Sequence, residues 1–270
     1  METNEYVLGT DQAELGRLGD QHAVWREAQL ALLARGGLRA GDTVLDLGCG
    51  PGATTFELAA VVGPRGRVVA RDQSASFLAS LAREARRRGL EQVEISLGSV
   101  ETLDLPARSC DAVYSRWLFS WLEDPAAGLA RAADCLRPGG VLLLQEYLDW
   151  SALTLLPRDE AFDAVVAACM RSWSESGATI DVAREIPGLA QELGLVVEHV
   201  APLGRVARSD GPEWRWLGSF FASYLPRLVQ RGLLERGAVD AHLADWRRRA
   251  TAGTSYCVTP TVADLVLRKT

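Results

Sequence analysis

Between residues 44 and 147 short apolar runs alternate with helix-patterned segments, and no other feature of the chain narrows its fold as far. "DTVLDLG" reads as a first strand and "ATTFELAAVV" as a helix stopped at Gly63-Pro64. "GRVVARD" reads as a second strand, and "SASFLASLAREARRR" as a helix with Ser74 at its N-cap. "VEISLG", "CDAVYSR" and "VLLLQEY" supply three more strands, with a helix near "DPAAGLARAADCL" and a turn at "RPGG" before the fifth. Strands joined by helices pair in parallel through right-handed crossovers. An α/β, doubly wound sheet is therefore expected, mostly parallel and seven-stranded once "LVVEHVAPL" and "VADLVLRK" are added. Ligands in such sheets bind outside the carboxyl ends of the strands, where strand order reverses.

The flanking sequence is helical. Residues 13 to 35 place Leu15, Leu18, His22, Trp25 and Leu32 on one face, and Gly36-Gly37 ends the helix. This predicts an N-terminal helical cap over 1–37 and a main domain over 38–270. Helical, lid-like insertions are expected at about 155–185 and 207–253, the second as one long stretch beginning "EWRWLGSFF".

Composition excludes several classes. The formal charge of −6 argues against a general nucleic-acid binder, which needs a basic surface to neutralise phosphates. Lys269 is the only lysine, so Schiff-base chemistry has almost nothing to use. Cys49, Cys110, Cys135, Cys169 and Cys257 form no C-x-x-C pair and no metal spacing, which fits reduced thiols and no metal site. "METNEYVLGT" lacks the pattern of a signal peptide, and no apolar run reaches membrane length. A cytoplasmic protein with a small-molecule partner, no membrane or nucleic-acid partner, and room for homo-oligomers is the expectation.

The chemistry is concentrated in "VLDLGCGPGATTFELA". Gly48, Gly50 and Ala53 satisfy the dinucleotide fingerprint G-x-G-x-x-[GA], and Asp72 lies where a ribose contact would fall. A nicotinamide oxidoreductase is thus one reading. Asp46 argues against it, because a carboxylate two residues before Gly48 repels a diphosphate and suits an ammonium group. No Tyr-x-x-x-Lys donor is present either.

Four stretches in order carry a resemblance: "VLDLGCGPG", "VVARDQSASFL", "LGSVETLDLP" and "CDAVYSRWLFSWLEDPAAGLARAADCLRPGGVLLLQE". Together they resemble the motifs of class I S-adenosylmethionine-dependent methyltransferases of the small-molecule type. "YVLGTDQAELGRLGDQH" is similar to the N-termini of that group. The resemblance implies a Rossmann-like methyltransferase fold, S-adenosylmethionine as cofactor and S-adenosylhomocysteine as product. It puts Gly48, Cys49 and Gly50 against the methionine portion, Asp46 near its amino group, and Asp72 and Gln73 at the ribose. Ser99 and the amide of Val100 would read the adenine; the family commonly has aspartate where Ser99 stands. Arg116 ends the fourth strand beside the methionine site, and Tyr6, Arg17, Gln21 and His22 would border the cofactor. The N-P-P-Y motif of nucleic-acid amino methylases is absent after the fourth strand.

Methyl transfer requires alignment and water exclusion, with a base only for a protonated acceptor. His22, Glu146 and Tyr147 are the catalytic candidates; packing is the expected role of His199 and His242. Trp117, Trp121, Trp214, Trp216, Phe220, Phe221 and Tyr224 form an aromatic set suited to a bulky apolar acceptor. Methylation of O, N or C of a hydrophobic small molecule, in bacterial natural-product biosynthesis, is the leading reading. A cofactor-binding protein that does not methylate, or that cyclises, is the alternative from another class.

Overall fold

The computed structural model describes residues 12–270 of the chain. Tyr6 lies outside them. In chain order the elements are α1 (Gln12–Arg35), β1 (Thr43–Leu47), α2 (Ala53–Val62), β2 (Arg67–Asp72), α3 (Ala75–Arg88) and β3 (Val93–Leu97). Next come β4 (Cys110–Arg116), α4 (Pro125–Cys135), β5 (Leu136–Asp149), β6 (Thr154–Leu156), α5 (Glu160–Glu175), α6 (Ile186–Glu192) and β7 (Leu195–Leu203). The chain ends with β8 (Val206–Arg208), α7 (Pro212–Gln230), α8 (Arg236–Ala252), β9 (Tyr256–Val258) and β10 (Thr261–Lys269).

Two compact units result. A sheet unit comprises Trp25–Glu146, Val182–Pro202 and Ala263–Thr270; a helical unit comprises the described part of 1–24 with Tyr147–Asp181 and Leu203–Val262. The division falls inside α1, between Val24 and Trp25.

The sheet unit carries seven strands in the order β3-β2-β1-β4-β5-β10-β7. β1 runs parallel to β2 and β4, and β2 to β3 and β4 to β5 likewise. The order reverses between β1 and β4, as the doubly wound pattern requires. Val44 to Leu47 are all buried, because a central parallel strand is covered on both faces. Leu32, Leu58, Val62, Val68, Leu143 and Val266 share one core cluster with Val44. α3 starts at Ser74, whose hydroxyl accepts from the Phe77 amide at 3.2 Å, and stops at Gly89. α4 is capped by Asp124, with Pro125 in the first turn.

"RPGG" is not a separate turn. It lies within the bounds of β5 at a bulge-like shift of register, where Cys110 pairs with Leu136 and Ala112 already pairs with Val141. The bulge is held from outside, because Arg137 pairs with Asp111 at 2.7 Å and Arg268 donates to the Gly139 carbonyl at 2.7 Å.

The helical unit has an aromatic interior and a small antiparallel sheet, β6-β9-β8, that pattern reading did not foresee. Leu155, Ala207 and Cys257 face inward, and Leu156, Val206 and Tyr256 face out. The expected helical stretch over 213–250 comprises two helices, α7 and α8, divided at residues 231–235. Trp214 of α7 and Trp246 of α8 stack at 3.7 Å between centroids, each indole N–H donating to the other residue's carbonyl at 3.3 Å. Among the described residues no helix is long and apolar enough to cross a membrane.

Candidate functional site

The glycine turn leaves β1 at its carboxyl end and is bound to the end of β2. The amides of Gly48 and Cys49 both donate to the Arg71 carbonyl, at 2.9 and 3.1 Å. Gly50 donates its amide to Asp72 Oδ2 at 2.8 Å, and Asp72 Oδ1 accepts from the Ser74 amide at 2.8 Å. One carboxylate therefore clamps two loops. Burial raises the Asp72 pKa against the pull of these amide donors. The turn passes through left-handed backbone at Gly50 and Gly52, with φ of 55° and 97°. A Cβ on Gly50 would meet nothing within 4 Å, so the backbone there borders open space. A Cβ on Gly52 would stand 2.5 Å from Leu81 Cγ. Close packing of the turn on α3 thus falls to Gly52.

Asp46 is buried and faces α2. Its Oδ2 accepts from the hydroxyls of Thr54 at 2.9 Å and Thr55 at 2.6 Å, and burial lifts its pKa to about 6. The Cys49 thiol is pushed well above its ordinary range, first by burial and then by Asp46 and Asp72, so it is chemically quiet. Gln73 is exposed.

A second group of side chains gathers beyond β3. Ser99 is half-buried, its hydroxyl 3.4 Å from that of Thr102, and Val100 is buried. Both lie in a loop reached from β2 by Arg71, which sequence reading passed over. The Arg71 guanidinium donates to the Ser99 carbonyl at 3.1 Å, to Ser96 Oγ at 2.8 Å and to the Thr102 carbonyl at 2.6 Å. It also reaches Thr102 Oγ1 and Asp104 Oδ1, each at 3.2 Å. The one visible signal was an arginine inside the otherwise apolar run "VVARD".

At the end of β4, Ser115 Oγ donates to the Leu47 carbonyl at 2.9 Å, closing β4 onto β1 at the switch point. The Arg116 guanidinium lies 5.0 Å from the Trp117 ring centroid. Trp117 holds a left-handed backbone (φ 54°), sparsely populated for a bulky residue, and its indole meets Trp25 edge-on at 5.7 Å. Trp121 is half-buried in the following turn.

Glu146, a catalytic candidate on sequence, is fully buried and bonded to this same loop. Its Oε1 accepts from the amides of Leu118 at 2.9 Å and Phe119 at 3.0 Å, and Oε2 meets Ser120 Oγ at 3.1 Å. Burial raises its pKa to about 7.

The remaining expected residues lie in the helical unit. Arg17 and Glu14 form a buried bidentate pair at 2.6 and 2.7 Å. Gln21 Oε1 accepts from Arg17 at 2.7 Å and from the Trp216 indole at 3.1 Å. His22 is half-buried. Tyr147 meets Trp150 edge-on at 5.7 Å. Trp214, Phe220, Phe221 and Tyr224 are buried in aromatic packing: Trp214 on Trp246, Phe221 against Phe162, and Phe220 and Tyr224 against Trp173. Tyr224 also shares a hydrogen bond of 2.6 Å with Ser172. These four, expected to line a substrate pocket, pack within the interior of the helical unit, where Trp150 also meets Trp173 at 4.7 Å and Phe220 at 5.4 Å. His242 is part of the same interior, stacked on Phe162 at 5.7 Å, with its pKa lowered to about 4 by burial.

A nucleoside cofactor fits the sheet unit's constellation. Open backbone at Gly50, a carboxylate with lone pairs left at the end of β2, and a loop of hydroxyls and amides beyond β3 are the donor set a methionine, a ribose and an adenine need. Among the described residues no group of three His, Cys, Asp or Glu is placed to hold a metal.

Residues 44–140 match a family model described as a methyltransferase domain. An uncharacterized 37.1 kDa protein of a Streptomyces fradiae transposon is 34% identical over 76% of this chain and 60% of its own length. The aklanonic acid methyltransferase of Streptomyces sp. (strain C5) is 39% identical over 37% of this chain and 46% of its own length. The chain thus spans less than two thirds of either relative. A Bacillus halodurans crystal structure described as a candidate methyltransferase superposes with a TM-score of 0.62 at 18% identity, over 89% of this chain and 98% of that one. Residues 44–140, which include the clamped glycine turn, thus resemble a methyltransferase domain, and the seven-stranded sheet has the fold of the methyltransferase structure it superposes on.

Proposed function

We propose that this chain transfers the methyl group of S-adenosylmethionine to O, N or C of a hydrophobic small molecule. The observation that carries the reading is the Asp72 carboxylate, fixed by two amides at the strand-end rim beside open backbone at Gly50. In this reading Asp72 uses its remaining lone pairs to accept from the ribose hydroxyls, and the Gly48–Gly50 backbone lies along the methionine portion. Ser99 and the Val100 amide face the adenine. Asp46 acts at one remove, by fixing the first turn of α2 through Thr54 and Thr55. Bound cofactor supplies an electrophilic sulfonium methyl; the protein's part is to align the acceptor and exclude water.

Glu146 is a positioning residue here, because both its oxygens hold the loop after β4. His22 and Tyr147 remain the candidates for contact with acceptor or cofactor. Similarity to the aklanonic acid methyltransferase and to the nocamycin O-methyltransferase of Saccharothrix syringae supports a natural-product setting. The test is calorimetric titration with S-adenosylhomocysteine, followed by mass spectrometry of a panel of aromatic and polyketide-like acceptors incubated with cofactor. Micromolar binding and a product heavier by one methylene support the reading; no binding of either nucleoside overturns it.

A further inference from the structure

We infer that Arg71 is a positioning residue that sets the adenine end of the cofactor site, an inference that rests on the function proposed above. β2 is apolar and fully buried from Val68 to Ala70, and the Arg71 side chain, next in line, is only 3% exposed. A buried cation is costly to desolvate, and an apolar residue would serve stability at least as well. Its carboxylate partner among the described residues, Asp104, is 85% exposed and 3.2 Å away, so ion pairing offsets little of that cost. What the guanidinium does instead is geometric. Its planar fork holds the carbonyls of Ser99 and Thr102 and the hydroxyls of Ser96 and Thr102 at once. These contacts bracket Ser99 and Val100, the two residues assigned to the adenine. Gly98 completes the arrangement: its backbone (φ 152°) is one that side chains rarely adopt, and a Cβ there would stand 2.4 Å from the guanidinium.

The experiment compares wild type, Arg71→Met, Arg71→Lys and Gly98→Ala, each checked for thermal stability, by three readouts. Titration with S-adenosylhomocysteine should show affinity reduced at least tenfold in Arg71→Met and Gly98→Ala. Arg71→Lys should recover only part of it, since an ammonium cannot span four acceptors. Methyl-transfer kinetics should show the loss in KM for the cofactor, with kcat at saturation within about threefold. Hydrogen exchange should rise over residues 96–104 and stay unchanged over 44–47. Unchanged affinity in both Arg71→Met and Gly98→Ala overturns the inference, as does exchange that rises equally across the sheet. Should wild type itself bind no nucleoside, the proposed function fails, and unaltered exchange over 96–104 in the variants would then separately refute the positioning role.

Discussion

Replacing Glu146 by glutamine separates a loop anchor from a general base. The carboxyl is fully buried, and its pKa rises from 4.5 to about 7 in the folded chain, mainly by burial. A carboxyl with a raised folded pKa binds its proton more tightly when folded. Its contribution to stability is complete below pH 4.5 and is lost as pH climbs through 7. At about 1.4 kcal/mol per pH unit the change amounts to roughly 3 kcal/mol. Glutamine keeps an oxygen for the Leu118 and Phe119 amides but carries no charge to desolvate. Urea unfolding of both proteins from pH 4.5 to 8 should show Glu146→Gln gaining roughly 3 kcal/mol relative to wild type across that range. The variant should also keep kcat within about tenfold, whereas loss of a general base costs ~10²–10⁴-fold. A pH-independent stability difference refutes the argument from burial. A kcat fall of 100-fold at unchanged melting temperature refutes the positioning role.

Asp72→Asn turns an amide N–H toward either the Gly50 or the Ser74 amide, and calorimetry with S-adenosylhomocysteine should show affinity reduced about 10- to 100-fold, since hydrogen bonds to charged groups are worth about 1.5–3 kcal/mol. Gly52→Ala combines left-handed backbone with a Cβ 2.5 Å from Leu81, so denaturant unfolding should register about 2–4 kcal/mol of destabilisation. Tyr224→Phe removes a buried hydrogen bond to Ser172; chemical denaturation should show about 1–2 kcal/mol lost while KM for the acceptor stays constant. A changed acceptor KM with unaltered stability would return Tyr224 to the substrate pocket.

The parallel sheet was legible because β1, β2 and β4 are near-continuous apolar runs, the direct mark of strands buried on both faces. The glycine turn was legible because its constraint is local to five residues. Roles that depend on distant partners were not. Arg71 meets Thr102 across 31 positions, and Glu146 meets the Leu118–Ser120 loop across 26 to 28, separations no periodicity encodes. The strands β6, β8 and β9 have three residues each, too few to show alternation. The aromatic residues of α7 were visible as a set. Whether they face a ligand or one another is decided by α5 and α8, which contribute Phe162, Trp173 and Trp246.

The Trp214–Trp246 pair also has an optical consequence. Indoles held face to face at such short range couple their excited states and give a two-signed circular-dichroism band that isolated tryptophans lack. Since α7 and α8 each supply one partner, this pair's share of the band would be lost when the two helices part, leaving that of Trp25–Trp117 and Trp150–Trp173. The protein therefore contains its own spectroscopic gauge of one helix pair, readable without any added label.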